Sequence, residues 1–156
     1  MAERYGLAAL IGASLAALAL AWYVQLVLGH PPCSLCLRAR WPHYVLVAGG
    51  ALALYAGRPR LGLWLAVGAL FAALAISLTH VGVEAGWLAL PGGCVAQPEG
   101  DGLDDLRSAL MAQTRPSCDQ PSPELFGMSM PQWHALATLT LALAAAWTLS
   151  VRGRGR

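Results

Sequence analysis

Four long stretches of the chain contain no Asp, Glu, Lys or Arg. They cover residues 7–28, 41–57, 61–83 and 125–151. A bilayer core about 30 Å thick requires about 20 helical residues, so the second stretch can cross it only if its helix begins several residues earlier. The pattern therefore predicts four membrane-spanning helices, at about 7–28, 36–57, 61–83 and 131–151.

The overall composition agrees with a membrane protein and excludes one class of partner. Hydrophobic residues make up 57% of the 156 residues, charged residues make up 12%, and the mean hydropathy is +0.55. Soluble domains usually contain about 25% charged residues. The ten basic residues are all arginine and the net charge is only +2, so no basic patch is available for a nucleic acid.

The arginines predict the orientation of the spans. Six of the ten lie at the termini or in the short turn after the second span: Arg4, Arg58, Arg60, Arg152, Arg154 and Arg156. Cytoplasmic segments carry an excess of basic residues, so both termini are expected in the cytoplasm. We expect an all-α, four-transmembrane-helix bundle forming a single membrane domain over residues 1–156. Its outer loops are predicted at about 29–40 and 84–130.

The long outer loop contains the pattern of a short amphipathic helix. Leu103, Leu106, Leu110 and Met111 follow helical spacing, and the charged residues between them occupy the opposite face. Glycine and proline residues flank the segment on both sides and end it. We therefore expect a short helix that lies on the membrane surface within this loop.

Two cysteines three residues apart, Cys33 and Cys36, lie where the first outer loop meets the second span. The helix macrodipole stabilises a thiolate near a helix N-terminus, and Arg38 and Arg40 add positive charge. We therefore expect Cys36 to be the more acidic thiol. Arg40 follows Cys36 by four residues on the same helical face, so its guanidinium can reach that thiolate or an electron-rich ligand beside it. This pattern favours redox chemistry.

A second pair, Cys94 and Cys118, lies on the long outer loop, and the residues leave its role open. The pair could exchange with the thiols of a soluble partner and pass electrons to Cys33 and Cys36, or it could close the loop structurally. Cys33 and Cys36 could also be half of a zinc site or an inert disulfide. Haem attachment is excluded because Leu37 occupies the position that requires histidine. A zinc-stabilised membrane adaptor is thus an alternative to a redox enzyme.

All four histidines map to the outer ends of predicted spans. His80, near the end of the third span, is the candidate for hydrogen bonding to a ligand carbonyl, because a polar group inside a membrane bundle usually has a function. His30 and His134 are interpreted as interfacial polar groups.

Three segments together resemble the bacterial disulfide bond formation protein B (DsbB) family. They are CSLCLRARWP at 33–42, CDQP at 118–121, and LFGMSM at 125–130 followed by Trp133. With the four spans and the long second outer loop, the resemblance covers nearly the whole chain. It implies a multi-pass protein of the bacterial inner membrane, with both termini cytoplasmic and both cysteine loops periplasmic.

The resemblance also implies a reaction, that of a quinone-dependent, protein-disulfide-generating oxidoreductase. A reduced, periplasmic DsbA-like thiol oxidase would attack a Cys94–Cys118 disulfide, with Cys94 as its mixed-disulfide partner. Cys118 would then attack Cys33 and release Cys36 as a thiolate against a bound quinone. All four cysteines are therefore implied to be catalytic.

The family's quinone site is implied to involve two further residues. Arg40 takes the position of the quinone-proximal arginine, and His80 matches a histidine near that pocket. The implied cofactor is a quinone, with ubiquinone favoured over menaquinone, and no metal is expected. The implied partners are the thiol oxidase, the quinone and the lipid bilayer. Among enzymes, the alternative is a vitamin K epoxide reductase-type quinone reductase.

Overall fold

A computed structural model of the chain describes residues 2–91, 94, 116–119 and 124–153. These residues form four long helices and one short hairpin. In chain order the elements are α1 (Ala2–Leu26), α2 (Ser34–Tyr55), α3 (Pro59–Glu84), β1 (Glu124–Leu125), β2 (Met128–Ser129) and α4 (Met130–Gly153). The predicted helical architecture is confirmed for this part of the chain. The amphipathic helix predicted at 103–111 lies outside the described residues.

Three of the four helices are long and apolar enough to cross a membrane: Glu3–Leu26, Pro59–Glu84 and Met130–Ser150. The remaining helix, α2, has 22 residues and a length of about 33 Å. Its first half carries two arginines and a histidine, which lower its hydropathy. Large apolar side chains point outward along the bundle, among them Leu20, Leu52, Phe71, Leu78 and Leu143. Such outward apolar side chains suit contact with lipid.

The inner hairpin predicted around Arg58 forms because α2 ends and α3 begins with strong local signals. Gly57 has a φ of 69°, a left-handed conformation that glycine adopts without steric cost. The Arg58 N–H then bonds to the Ala53 carbonyl at 2.8 Å and closes the last turn of α2. Pro59 occupies the first helical position of α3, where a backbone N–H would have no partner within the helix, so the missing N–H of proline costs nothing.

The hairpin β1–β2 was not predicted from the sequence. Its two-residue turn, Phe126 and Gly127, has positive φ angles of 54° and 76°, as in a type I′ turn. The hydroxyl of Ser129 donates to the Glu84 carboxylate at 2.8 Å. Since Ser129 immediately precedes α4, this bond ties the start of α4 to the end of α3.

The interior of the bundle has three layers along its length. At the end nearest the termini is an apolar core that includes Leu7, Leu46, Leu63, Leu70 and Ala142. The middle layer is polar and contains Ser14, His43, Ser77 and Thr138. At the opposite end, a second cluster combines cysteines with Leu35 and Val83. The cysteines therefore lie apart from the core that holds the helices together.

The apolar core is packed closely around Gly62 of α3. A Cβ atom at Gly62 would clash with a methyl group of Leu7 on α1 and would lie 2.9 Å from the Ala53 Cβ on α2. Glycine therefore permits the close approach of three helices here. Gly68, farther along α3, has no atom within 4 Å of the corresponding position, so its lack of a side chain serves no such purpose.

Candidate active site

The first cysteine pair is built by the start of α2. Cys33 is the N-cap residue, with extended backbone angles, and its Sγ accepts the backbone N–H of Cys36 at 3.3 Å. The two sulfurs lie 3.1 Å apart and form a hydrogen bond rather than a disulfide. Cys33 is buried, whereas Cys36 is partly exposed. Local helix capping thus brings the two thiols together without help from the rest of the fold.

The expectation that Cys36 is the more acidic thiol is wrong. The pKa of Cys33 is lowered from 9.0 to about 4. The hydrogen bond with the Cys36 thiol is the largest cause. His80 and the backbone N–H of Cys36 also lower the pKa, whereas burial raises it. The physical reason is the geometry at the start of α2: the Cys33 sulfur shares a hydrogen bond with the Cys36 thiol and also accepts the free backbone N–H of Cys36. In the reduced pair, Cys33 therefore holds the stabilised thiolate.

His80, near the end of α3, lies beside this pair. It is 4% exposed, and its Nε2 lies 3.6 Å from the Cys33 sulfur. Its Nδ1 lies 4.0 Å from the Cys36 sulfur. The last turns of α3 thus carry an imidazole that can donate to, or accept from, either thiol. The ligand atoms of Cys33, Cys36 and His80 also lie within 4.8 Å of one another, close enough to share a metal ion.

The second cysteine pair forms a disulfide that packs against the first pair. Cys94 and Cys118 are bridged, with their Cα atoms 5.6 Å apart. Ser34, the residue between the N-cap and the rest of α2, places its Oγ 3.1 Å from the Cys94 sulfur and 3.3 Å from the Cys118 sulfur. Cys118 is 1% exposed and belongs to the same buried cluster as Cys33. The fold therefore gathers all four cysteines around the start of α2.

Arg40 is held deep in the bundle rather than snorkelling to the surface. It is 8% exposed, and its guanidinium donates to the Gln25 side chain at 2.8 Å and to the Ala21 carbonyl at 3.2 Å. Its Cζ also lies 5.1 Å from the centre of the Trp22 ring. Its charge acts on the Cys36 sulfur one turn away. Helix α1 therefore positions this arginine beside the cysteines.

Several residues of this site carried no recognisable signal in the sequence. Ser34 was simply a residue between two cysteines, and Gln25 was one polar residue near the end of an apolar stretch. His134 was interpreted as an interfacial group, and this is wrong: its ring bonds to His43 at 2.9 Å and to Ser77 at 2.5 Å inside the bundle. Only contacts between helices identify these roles.

Comparison with known proteins agrees with this arrangement. The chain is 25% identical over 138 residues to an uncharacterised protein of Rickettsia prowazekii (strain Madrid E), which covers 86% of this chain and 80% of that protein. The family described as "Disulfide bond formation protein DsbB" matches residues 3–148, nearly the whole length. With two juxtaposed cysteine pairs at one end of a helical membrane bundle, the chain belongs to the DsbB family, whose members form disulfide bonds.

Proposed function

We propose that the protein is a thiol:quinone oxidoreductase that reoxidises a periplasmic DsbA-like dithiol oxidase and passes the electrons to a quinone. The observation that carries this proposal is the meeting of the two cysteine pairs at Ser34, with one pair bridged and the other reduced. Contact between the pairs lets disulfide exchange run from one to the other without a diffusing carrier. This supports Cys33, Cys36, Cys94 and Cys118 as the catalytic residues.

Four successive thiol–disulfide exchange steps carry two electrons from the partner to the inner cysteine pair. A thiolate of the reduced partner attacks Cys94, forming a mixed disulfide and releasing Cys118 as a thiolate. The partner's second thiolate then attacks its own bridged sulfur, so the partner leaves oxidised and both electrons remain on Cys94 and Cys118. Attack of Cys118 on the Cys33–Cys36 disulfide, followed by attack of Cys94 on Cys118, transfers the same two electrons inward. The reduced inner pair beside a bridged outer pair is the product of these steps.

The final acceptor has to be a strong oxidant that dissolves in the membrane. A DsbA-type oxidase has a potential of about −120 mV, so a thiol buffer cannot reoxidise it. A quinone accepts two electrons and two protons, and the donor groups here fit its carbonyl oxygens. Arg40 uses two of its five N–H groups on Gln25 and Ala21, and His80 lies against both thiols. Arg40 and His80 would hold the quinone, for which ubiquinone is favoured over menaquinone.

The topology completes this proposal. We propose that α2 is a fourth span, that both termini are cytoplasmic, and that the cysteine-bearing end of the bundle faces the periplasm of a bacterial inner membrane. The basic turn at Arg58 and Arg60 lies at the opposite end from the cysteines, as this orientation requires. Impermeant thiol labelling of reduced spheroplasts tests it, and labelling of Cys94 and Cys118 only after lysis would contradict it.

Anaerobic mixing of the protein with a reduced DsbA-like oxidase and a quinone tests the reaction. Quinone absorbance should fall in step with the loss of partner thiols, and only when all three components are present. A partner whose second cysteine is replaced by serine should remain bound as a covalent adduct through Cys94, visible on non-reducing electrophoresis, because the thiol that resolves the mixed disulfide is absent. The matched variant Cys94→Ser should trap none. Trapping through Cys33 with Cys94 free would contradict the proposed order.

A second candidate function is a zinc-stabilised adaptor, favoured by the ligand set of Cys33, Cys36 and His80. The Cys94–Cys118 disulfide supplies no thiolates for a fourth and fifth ligand, so this site would keep an open position. Metal analysis with thiol counting separates the candidates: stoichiometric zinc without quinone reduction would support the adaptor. Thiols that reduce quinone only with a non-DsbA partner would support a vitamin K epoxide reductase-type enzyme.

A further inference from the structure

A chain of hydrogen bonds crosses the bundle below the cysteine cluster and uses one side chain from each helix. Its members are Ser14 of α1, His43 of α2, Ser77 of α3 and His134 of α4. Ser14, His43 and Ser77 are at most 3% exposed, whereas His134 is partly exposed. The thiol exchange described above uses none of these four residues.

The donor and acceptor of each hydrogen bond follow from Ser77, which stands at one end of this row of side chains and whose hydroxyl hydrogen is already used. The Ser77 hydroxyl donates to the Ala73 carbonyl at 2.8 Å, so its oxygen accepts from Nδ1 of His134 at 2.5 Å. Neutral His134 is then an acceptor at Nε2, which receives the Nε2–H of His43 at 2.9 Å. Nδ1 of His43 in turn accepts the Ser14 hydroxyl at 3.2 Å. When both rings are neutral, they are therefore in opposite tautomers.

This arrangement can take up one proton and keep every bond. A proton added at Nδ1 of His43 reverses the contact with Ser14, while the bond between the rings remains. A second proton would put N–H groups on both facing Nε2 atoms, which lie 2.9 Å apart, and would leave two cations in contact inside the bundle. The pair of His43 and His134 is thus suited to hold a single proton, which can shift along the bond between the rings.

We propose that His43 and His134 carry a proton for the thiol–quinone reaction, an inference that rests on the function proposed above. Because Cys33 is already a thiolate, closing the Cys33–Cys36 disulfide removes two electrons but only one proton, that of the Cys36 thiol. Reducing a quinone to a quinol consumes two electrons and two protons. The Cys36 proton passes through His80 to the histidine pair and from the pair to the quinol, and the second proton comes from water without the pair.

The position of His80 supports this path. It contacts both thiols and follows Ser77 by three residues, so the two share one face of α3. The hydroxyls of Ser14 on α1 and Ser77 on α3 bond to the pair, and the cationic Arg40 precedes His43 by three residues on α2.

Nitrogen NMR of isotope-labelled histidine rings in the detergent-solubilised protein, without quinone, tests whether the pair of His43 and His134 takes up a single proton. The proton should sit on Nε2 of His43 and on Nδ1 of His134, and acidification should add one proton to the pair as a whole. Identical tautomers, or the uptake of two protons while the bundle stays folded, would overturn the proposal. This measurement uses the unaltered protein and so does not depend on the folding of a variant.

Replacement of His134 by glutamine tests the role in turnover. Glutamine can accept from His43 and donate to Ser77, so it preserves the hydrogen bonds, but it cannot carry a proton. His134→Gln should slow quinone reduction about a hundredfold and flatten its pH profile, while partner exchange without quinone stays at the wild-type rate. Thr138→Ser is the control and should behave as wild type, because Thr138 lies one turn further along α4 and its side chain is not part of the hydrogen-bonded row.

The outcomes separate this inference from the proposed function. Wild-type protein that reduces no quinone would refute the proposed function itself. Wild-type protein that reduces quinone, together with a His134→Gln variant of unchanged rate and pH profile, would refute only the proton-carrying role. The histidine chain would then be a structural tie between the four helices.

Discussion

The low pKa of Cys33 leads to a prediction that two single substitutions can test. Cys36→Ser keeps a hydroxyl donor beside the Cys33 sulfur, whereas Cys36→Ala removes it. Because Cys94 and Cys118 form a disulfide, Cys33 is the only free thiol of the chain in both variants. The ultraviolet absorbance of the thiolate therefore reports the titration of this one group, without reductant and without a second titrating sulfur.

The expected effect is large. With a pKa of about 4 in place of 9.0, the thiolate outnumbers the thiol by about 100 to 1 at pH 6, whereas an unperturbed thiol is about 0.1% ionised. The hydrogen bond with Cys36 is the largest cause of the lowered pKa. Cys36→Ala should therefore titrate at a clearly higher pH than Cys36→Ser. His80 and the backbone N–H of residue 36 remain in both variants, so neither midpoint should reach 9.0.

The same pKa determines how the stability of the reduced protein varies with pH. The pKa of Cys33 is lower in the folded chain than in the unfolded chain, so the unfolded chain binds the proton more tightly. The thiolate therefore contributes its full stabilisation above pH 9.0, loses it progressively on acidification, and contributes none below about pH 4. Equal midpoints in the two Cys36 variants, or a midpoint near 9.0 in Cys36→Ser, would refute this reasoning.

Three further predictions concern the arginine and the packing of α3. Arg40→Ala should raise the apparent KM for quinone about tenfold and leave the rate of disulfide exchange with the partner unchanged, with Arg38→Ala as the control. Equal quinone kinetics in wild type and Arg40→Ala would contradict a role of Arg40 in quinone binding. Gln25→Leu should raise the same KM by less than Arg40→Ala, because it removes one of the arginine's two hydrogen-bond partners. Gly62→Ala should lower the free energy of unfolding by about 1–3 kcal/mol, whereas Gly68→Ala should be neutral or stabilise the protein by up to about 1 kcal/mol. Chemical denaturation of both variants in the same detergent measures the difference. A Gly68→Ala variant less stable than Gly62→Ala would show that the crowding at Gly62 is absent.

Features that depend on a few neighbouring residues could be predicted from the sequence. A helix was expected at about 36–57 and α2 runs from Ser34 to Tyr55, because apolar length and capping residues act within one or two helical turns. The pairing of Cys33 with Cys36 follows for the same reason. The turn at Arg58 was likewise marked by glycine, proline and charge in immediate succession.

The contacts between helices were decided only by the tertiary structure. Apolar residues surround each helix on every side, so periodicity does not indicate which face turns inward, as it would in a soluble protein. The partnership of Arg40 with Gln25, the contact of Ser34 with the outer disulfide, and the hydrogen bond of His134 with His43 therefore left no pattern to detect. Each joins residues from different segments of the chain, and its energy depends on the relative rotation of the packed helices.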